Sequence, residues 1–380
     1  MNWPALLVKL VTLPEAPAPQ PPLPSLTPRQ WEQLMSIARR GALWMRLARH
    51  LRDGPGLSAV PEAPRRQLEA ALVTGASIAR DMTSEVLRVQ QALARLPARC
   101  VLLKGAAYLC AGLPAARGRV FGDIDILVPQ DQLGEVEGAL MAAGWISHET
   151  DAYNQRYYRQ WMHELPPLTH VQRGSTIDVH HTITPPTSAF RVDGALLLAA
   201  ARPVAPGSAL WILQPVDMVL HSAVHLFAEG EFDRGLRDLL DLHDLLHHFG
   251  SAQPDFWPQL FDRARTLGLQ RPLHHALSQI TGWLGDPVPA RLHAQVRALS
   301  PPWLPRLLMG GLLRTALRPV HPLCHRPGEG LARWLLYLRS HWLRMPLHLL
   351  AAHLARKAWL RQFPVRPARP ASADAPTAGI

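Results

Sequence analysis

Two aspartates within residues 122–128, GDIDILV, have the spacing of a metal site. Charged and apolar residues alternate at the start of this segment, which then becomes wholly apolar. This pattern predicts a β-strand that enters a buried sheet. Because successive side chains of a strand point to opposite faces, Asp123 and Asp125 must project from the same face. Two carboxylates that close repel each other unless a cation lies between them. Mg²⁺ prefers oxygen ligands of this kind, so the pair indicates a magnesium site completed by phosphate oxygens and water.

The residues alone leave a second interpretation open, in which Asp123 caps a turn and Asp125 lies on an exposed edge strand. The upstream segment LLKGAA favours the metal site. It predicts a strand over residues 101–104 that runs into Gly105 and then a helix of small residues. Backbone N–H groups at such a junction can face a phosphate.

These segments together resemble a known family. LLKGAAYL, Arg119, GDIDILV and an amphipathic helix ending in AAGW resemble the bacterial uncharacterised nucleotidyltransferases found beside peptide-modification and exopolysaccharide genes. That family lies in the polymerase-β-type nucleotidyltransferase superfamily, and the resemblance covers roughly residues 25–250. It implies an α/β (α+β) fold, with a nucleotidyltransferase core around a small mixed sheet, N-terminal helices and a C-terminal helical subdomain.

The resemblance also implies a third carboxylate on a later strand. Residues 176–181, TIDVHH, provide Asp178, which shares a strand face with His180, while His181 points to the opposite face. Two Mg²⁺ ions bridging three aspartates to the phosphates of an NTP substrate are then expected, and loss of any one carboxylate should abolish transfer with little loss of fold. The expected catalytic and metal-binding residues are Asp123, Asp125 and Asp178.

Nucleotide binding is expected from residues around these carboxylates. Many superfamily members have Gly-Ser where this chain has Gly105-Ala106, so a hydroxyl contact to phosphate is missing, and Lys104 or Arg119 could replace it. The expected nucleotide-binding residues are Lys104, Gly105, Arg119 and His180. Neither the base nor the acceptor follows from the sequence; the acceptor could be a small molecule, a peptide, a protein hydroxyl or an RNA end.

A histidine-rich helical segment suggests a competing enzyme class. His243-Asp244 resembles the doublet of metal-dependent phosphohydrolases, and with His225 it could form a separate metal site. Apolar-flanked histidines on helices more often hydrogen-bond locally. The family resemblance instead implies a helical subdomain that closes over the nucleotide, with His225, Arg237 and Asp238 facing it.

Periodicity predicts the elements around the site. One apolar stripe predicts a helix from Thr27-Pro28 to about residue 51, and a second long helix covers about residues 65–96. Residues 130–143 predict an amphipathic helix with Met141 facing inward, ended by Gly144. Residues 151–170 are rich in Tyr, Arg and His and predict a loop or strand. This segment either lines the acceptor pocket or forms a solvent-exposed edge strand.

Composition and pattern predict six segments. They are an N-terminal segment with a Pro-rich linker (1–26), a helical region (27–98), the nucleotidyltransferase core (99–212), a helical subdomain (213–300), a basic amphipathic region (301–363) and a disordered tail (364–380).

The basic excess of the chain is concentrated near its C-terminus. Residues 301–370 hold twelve Arg or Lys against one acid, Glu329, whereas the rest of the chain is balanced. Tryptophans interleave with these charges, which suits the surface of an anionic membrane. An RNA-binding surface and a solvated helical face are the alternatives. A catalytically inactive scaffold at a membrane or partner surface therefore remains the competing function.

Cellular location follows from what the sequence lacks. No apolar run is long enough to span a bilayer, the first residues lack a basic segment and a cleavage site, and the three cysteines are scattered. We therefore expect a cytoplasmic protein, with contact to the inner membrane left open.

Overall fold

The computed structural model describes residues 1–12, 25–54, 56–97, 99–149 and 151–344. Across these ranges the chain forms fifteen α-helices and one seven-stranded mixed sheet, which confirms the predicted α/β class. Most of the predicted Pro-rich linker, residues 345–363 of the predicted basic region and the predicted tail lie outside the described residues.

The first predicted helix begins at its predicted capping residue, but it is divided into two helices, α2 and α3. The side chain of Thr27 accepts a hydrogen bond from the backbone N–H of Gln30, whose side chain returns the contact, forming a capping box. The helix stops at Gly41, and Ala42 has a left-handed φ of 54°, which redirects the chain. The helices are α1 (Trp3–Val11), α2 (Pro28–Arg40), α3 (Trp44–Asp53) and α4 (Glu62–Leu93).

The sheet has the strand order β3-β4-β5-β2-β1-β7-β6. β2 lies inside it, parallel to β5 and antiparallel to β1, which excludes an exposed edge for Asp125. On its other side, β5 pairs antiparallel with β4. The strands are β1 (Val101–Leu102), β2 (Asp123–Leu127), β3 (Trp145–Ser147), β4 (Leu168–His170), β5 (Thr176–His180), β6 (Arg202–Pro203) and β7 (Trp211–Ile212).

The helices between the strands correct three expectations. The first strand ends at Leu102 rather than residue 104, because Lys104 already begins a helix. Met141 is half-exposed, since its helix buries Val136 and Leu140 instead. Residues 152–161 form a helix rather than a loop or strand, begun by the Asp151 side chain as N-cap. These helices are α5 (Lys104–Cys110), α6 (Leu133–Ala142), α7 (Ala152–Trp161) and α8 (Gly194–Ala200).

The remaining described chain is helical, as the sequence predicts from residue 214. α9 and α10 pack against each other, and α9 also contacts α5, the helix that begins at Lys104. The helices are α9 (Pro215–Ala228), α10 (Gly235–Ala252), α11 (Phe256–Thr266), α12 (Gln270–Leu284), α13 (His293–Ala298), α14 (Trp303–Ala316) and α15 (Glu329–Arg344). None of the helices within the described ranges combines the length and apolar character needed to cross a membrane.

Two hydrophobic cores hold these layers together. The larger surrounds the sheet and extends through α9 to α12, and the smaller lies among α1, α2, α3 and the start of α4. Leu236 and Leu240 of α10 belong to the smaller core, so apolar contacts cross the predicted boundary between the N-terminal helices and the helical subdomain. The segment boundaries themselves stay a prediction.

Candidate functional site

Three aspartates meet on one face of the sheet. The parallel register of β2 and β5 sets Asp125 directly beside Asp178, and Asp123 follows on the same face of β2. Their carboxylate oxygens lie within 4.8 Å of one another. The sequence therefore identifies all three members of this acidic cluster, and the fold brings them together.

The charge on this cluster is uncompensated at Asp178. Burial raises the pKa of Asp178 to about 7, and the neighbouring carboxylates, Asp125 first among them, add to the rise. Its Oδ1 atom is buried without a hydrogen-bond partner in the described part of the chain. A hard divalent cation would satisfy this oxygen and neutralise the carboxylates, so the three residues fit the metal that the family resemblance implies.

Lys104 compensates Asp125 from the opposite side. Its Nζ atom lies 2.8 Å from the Asp125 Oδ1 atom. Burial disfavours the ammonium, but the carboxylates of Asp125 and Glu229 outweigh it and raise the pKa of Lys104. The residue has a left-handed φ of 43°, an uncommon conformation for a side chain of this size. The backbone is thus strained where β1 turns into α5, and the lysine is held toward the acidic cluster.

His180 links Asp125 to a further carboxylate. Its Nε2 atom lies 3.1 Å from Asp125 Oδ1, and its Nδ1 atom lies 3.4 Å from Glu164 Oε2. Burial would lower the pKa of His180, yet the Asp125 hydrogen bond and the Glu164 charge raise it. Burial would likewise raise the pKa of Asp125, but Lys104 and His180 hold it well below its ordinary value.

Arg119 is held in place by packing and by a carboxylate. Its guanidinium pairs with Asp241 and lies 5.7 Å from the centroid of the Tyr108 ring. A Cβ atom at Gly105 would come within 3.0 Å of Arg119 Nε and 3.1 Å of Phe121 Cδ1. Gly105 therefore serves by letting Arg119 approach the start of α5. Since α5 has only seven residues, we assign phosphate binding to the side chains rather than to its N-terminus.

A polar cavity of ≈ 370 Å³ opens beside these groups. The turn between α9 and α10 provides its far wall, which confirms that His225, Arg237 and Asp238 face the site. Arg237 donates to Asp238, with Nε to Oδ1 at 2.9 Å. The remaining charged residues of the lining are Lys104, Arg119, Asp123, Asp125, Glu229, Glu231, Asp233 and Arg234.

Among the described residues, Asp178 lies outside the lining of this cavity and faces the other side of the acidic cluster. That side is formed by α7. Burial and the charges of Glu164, Tyr157 and Asp178 raise the pKa of Tyr158. Tyr153 and Tyr157 pack edge-to-face against Trp161, giving α7 an aromatic stripe. The acidic cluster thus lies between a polar cavity lined by charges of both signs and the aromatic stripe of α7.

Glu164 and Glu229 are site residues that the sequence analysis missed. Glu229 lies one helical turn after His225, and their carboxylate and Nδ1 atoms are 2.7 Å apart. The i, i+4 spacing of His225 and Glu229 was a usable signal. The sequence gave no such signal for Glu164, because this residue reaches the site through an isolated β-bridge to His180.

The phosphohydrolase interpretation is not supported. Asp244 is buried and pairs with Arg46, with Nη2 to Oδ2 at 2.8 Å, while His243 approaches the same carboxylate. Residue groups able to hold a metal in the described ranges are the acidic cluster and a group around His180, and neither includes His225, His243 or Asp244. The doublet instead ties α10 to α3.

Comparison with known proteins supports one family. A family model described as "Uncharacterised nucleotidyltransferase" matches residues 27–285, which is more than half of the chain. No curated protein and no solved structure matches significantly.

Proposed function

We propose a specific reaction for this chain, which belongs to the uncharacterised nucleotidyltransferase family. It transfers a nucleoside monophosphate from an NTP to a hydroxyl or phosphate acceptor, with Asp123, Asp125 and Asp178 as ligands of two Mg²⁺ ions. The observation that carries this proposal is the acidic cluster with its unpartnered buried oxygen, set beside a polar cavity whose lining includes Lys104, Arg119 and Arg237.

Bound Mg²⁺ would supply Lewis-acid activation of the phosphoryl group and of the attacking hydroxyl. The chain's own residues do the rest. Lys104, Arg119 and Arg237 line the cavity, and their charge-assisted hydrogen bonds would hold the triphosphate. Gly105 permits the close approach of Arg119, and His180 holds Asp125. Positioning and charge supply most of the rate in phosphoryl transfer, so rigid placement of these groups is the protein's main contribution.

Asp178 would accept the proton of the attacking hydroxyl. Among the described residues, Asp178 does not line the cavity and lies on the side of α7. A general base must lie within reach of the proton that it removes, which requires the acceptor on this side. The acceptor would therefore approach along the aromatic stripe of α7 while the triphosphate occupies the cavity. Small molecules, peptides and protein hydroxyls all fit this arrangement.

A titration of each labelled NTP in the presence of Mg²⁺ tests this proposal. We expect one NTP to bind in a metal-dependent manner, with binding lost in Asp123→Asn/Asp125→Asn and retained in Asp131→Asn. Asp131 is an exposed aspartate outside the cavity and serves as the matched control. Absence of binding to all four NTPs would favour the scaffold function.

A peripheral contact with an anionic membrane surface is the second part of the proposal. α15 exposes Leu331, Trp334, Leu335, Leu338 and Trp342 on one helical face, and Trp342 is 69% exposed. Side chains at this spacing form a continuous apolar stripe.

The first half of α14 continues this apolar surface. Trp303 is 69% exposed, and Leu304, Leu307 and Leu308 are exposed beside it. We call the exposed apolar residues of α14 and α15 the aromatic face. Residues 303–344 also carry seven arginines against one acid, Glu329, which complements an anionic lipid surface. Such contact would place the protein at the cytoplasmic side of a membrane.

The aromatic face is physically connected to the candidate site. Arg344, at the end of α15, donates to the backbone carbonyl of Glu229 with a distance of 2.8 Å. Gly230 lies so close to α15 that a Cβ atom there would come within 2.5 Å of the Ser340 Cβ atom. α15 therefore links the aromatic face to the turn that closes the cavity.

A further inference from the structure

A second group of metal-binding side chains lies behind the acidic cluster. It consists of His163, Glu164 and His180, whose ligand atoms lie within 4.8 Å of one another. Glu164 and His180 face each other across an antiparallel bridge, and the His163 ring centroid is 5.2 Å from that of His180. His163 is 8% exposed and His180 is 1% exposed, so both imidazoles are removed from solvent.

These imidazoles have unused nitrogen atoms. The Nδ1 atoms of His163 and His180 are buried and have no hydrogen-bond partner in the part of the chain that the structure describes. Burying an unpaired polar atom is unfavourable, so both nitrogens need an explanation. Glu164 Oε2 lies 3.4 Å from the Nδ1 atom of His180 and 3.9 Å from the Nε2 atom of His163, and neither contact is a hydrogen bond.

We propose that His163, Glu164 and His180 bind a borderline divalent transition-metal ion of the Zn²⁺ type, at a site distinct from the acidic cluster. Two imidazoles and one carboxylate are a ligand set that Zn²⁺ accepts with a fourth position open. The proposal goes beyond nucleotide transfer and does not depend on it.

Ligand chemistry separates the two sites. The acidic cluster offers only oxygen atoms, which suit Mg²⁺, whereas nitrogen ligands select Zn²⁺ and related ions.

A metal-bound histidine usually donates a hydrogen bond from its other ring nitrogen, and Asp125 can accept that hydrogen bond from His180. If Nδ1 of His180 binds the ion, Nε2 must carry the proton, and this atom lies 3.1 Å from Asp125 Oδ1. A carboxylate that accepts this proton orients the ring and makes it a stronger ligand. One aspartate then serves both sites, so the transition-metal ion would help to orient a ligand of the acidic cluster.

Metal binding to the full-length protein tests the proposal directly. Metal-free protein is titrated with Zn²⁺ by calorimetry and with Co²⁺ by visible absorption, both in excess Mg²⁺. We expect one Zn²⁺ per chain, with affinity reduced at least about 100-fold in His163→Asn and in Glu164→Gln, since even outer-contact losses cost about 10–100-fold. Two ligand variants are used so that a folding defect in one, detected by circular dichroism, leaves the other informative.

Two variants provide matched controls. His181→Asn alters the adjacent histidine, whose Nε2 atom contacts the Met162 carbonyl outside the group, and should leave Zn²⁺ affinity unchanged. Asp123→Asn should weaken Mg²⁺-dependent NTP binding while retaining Zn²⁺. No Zn²⁺ binding by the wild type, or Zn²⁺ binding lost in Asp123→Asn and kept in His163→Asn, would overturn the proposal. Neither result bears on NTP binding, which is measured separately.

Discussion

The three aspartates of the acidic cluster have the same side chain but different environments. Asp123 is exposed at the cavity, Asp125 is neutralised by Lys104 and His180, and Asp178 is half-buried with one oxygen that has no hydrogen-bond partner among the described residues. We expect Asp123→Asn to abolish transfer with little effect on folding. Asp125→Asn should also destabilise the fold, because it leaves Lys104 and His180 without their charged partner. The expectation of little structural loss therefore applies to Asp123 and Asp178 but not to Asp125.

The raised pKa of Asp178 predicts a pH-dependent stability. Between the ordinary value of 3.8 and about 7, the folded protein keeps a proton that the unfolded chain has released. The stability that this group contributes is thus present below pH 3.8 and is lost as the pH rises through about 7. Replacing the carboxyl by a neutral amide removes this loss.

Thermal unfolding in a chelator measures the effect. Metal-free Asp178→Asn should be more stable than the wild type at pH 8, by on the order of 1 to 2 kcal/mol, and nearly equal to it at pH 4. The exposed control Asp131→Asn should follow the wild type at both values. An Asp178→Asn protein that is less stable than the wild type at pH 8 would contradict a repulsive acidic cluster.

At the residue scale, the sequence predicted what strand geometry dictates. Side chains alternate along a strand, so Asp123 shares a face with Asp125, and Asp178 shares a face with His180. The register of β2 and β5 brings these two pairs together. Alternation within one strand says nothing about which strand lies next to it. Glu164 and His163 could not be predicted for that reason, since only the bridge between Glu164 and His180 brings them to the site.

At the element scale, the segment between α5 and β2 has to pass close to α3. Gly118 has a φ of 69°, and a Cβ atom there would lie 2.6 Å from the Arg46 Cα atom and 2.8 Å from its backbone nitrogen. Gly112 has a similar φ of 65° but open space around it. The two glycines therefore separate the cost of backbone conformation from the cost of a clash.

Gly118→Ala should cost distinctly more stability than Gly112→Ala, for which about 1 kcal/mol is expected from the backbone alone. Because Gly118 immediately precedes Arg119, its replacement should also weaken NTP binding several-fold, whereas Gly112→Ala should not. Denaturant unfolding and NTP titration measure the two effects. Equal losses in both variants would show that the close approach to α3 is unimportant.

Helices and strands were predicted well where apolar periodicity extends over many residues. They were predicted poorly where a single residue determines whether an element breaks or begins. The capping residues of α2 and the end of α6 at Gly144 match the prediction. The break at Ala42 did not show in the sequence, because apolar residues continue across it in nearly the same phase. The aromatic content of residues 152–161 favoured a strand, but the Asp151 cap and side-chain packing favour α7.

At the scale of the whole molecule, the distribution of charge predicts binding to anionic vesicles. Sedimentation of the full-length protein with phosphatidylglycerol-containing vesicles should fall with rising salt, because arginines supply part of the attraction. Leu331→Ala/Leu338→Ala should weaken binding about tenfold, by removing apolar contact from the aromatic face. Leu196→Ala, at an exposed leucine of α8, is the control and should have no effect. Equal binding by all three proteins would assign the aromatic face to another partner.

Global organisation was predictable only in outline. The mixed sheet and flanking helices follow from the pattern of elements, whereas the cores do not follow the chain order. Leu236 and Leu240 close the core of the N-terminal helices, and Cys324 joins them there. Such contacts depend on packing between distant segments, which composition along the chain does not encode.

The register of β2 and β5 has a consequence for how the chain folds. Asp125 and Asp178 are direct partners in a parallel pair, and parallel pairing between distant segments forms late and slowly. Each time this pair closes, two carboxylates must come together before any cation is trapped between them. We therefore expect metal ions or protons to speed folding as well as to stabilise its product. The availability of ions when the protein is synthesised would then influence how fast it reaches the native state.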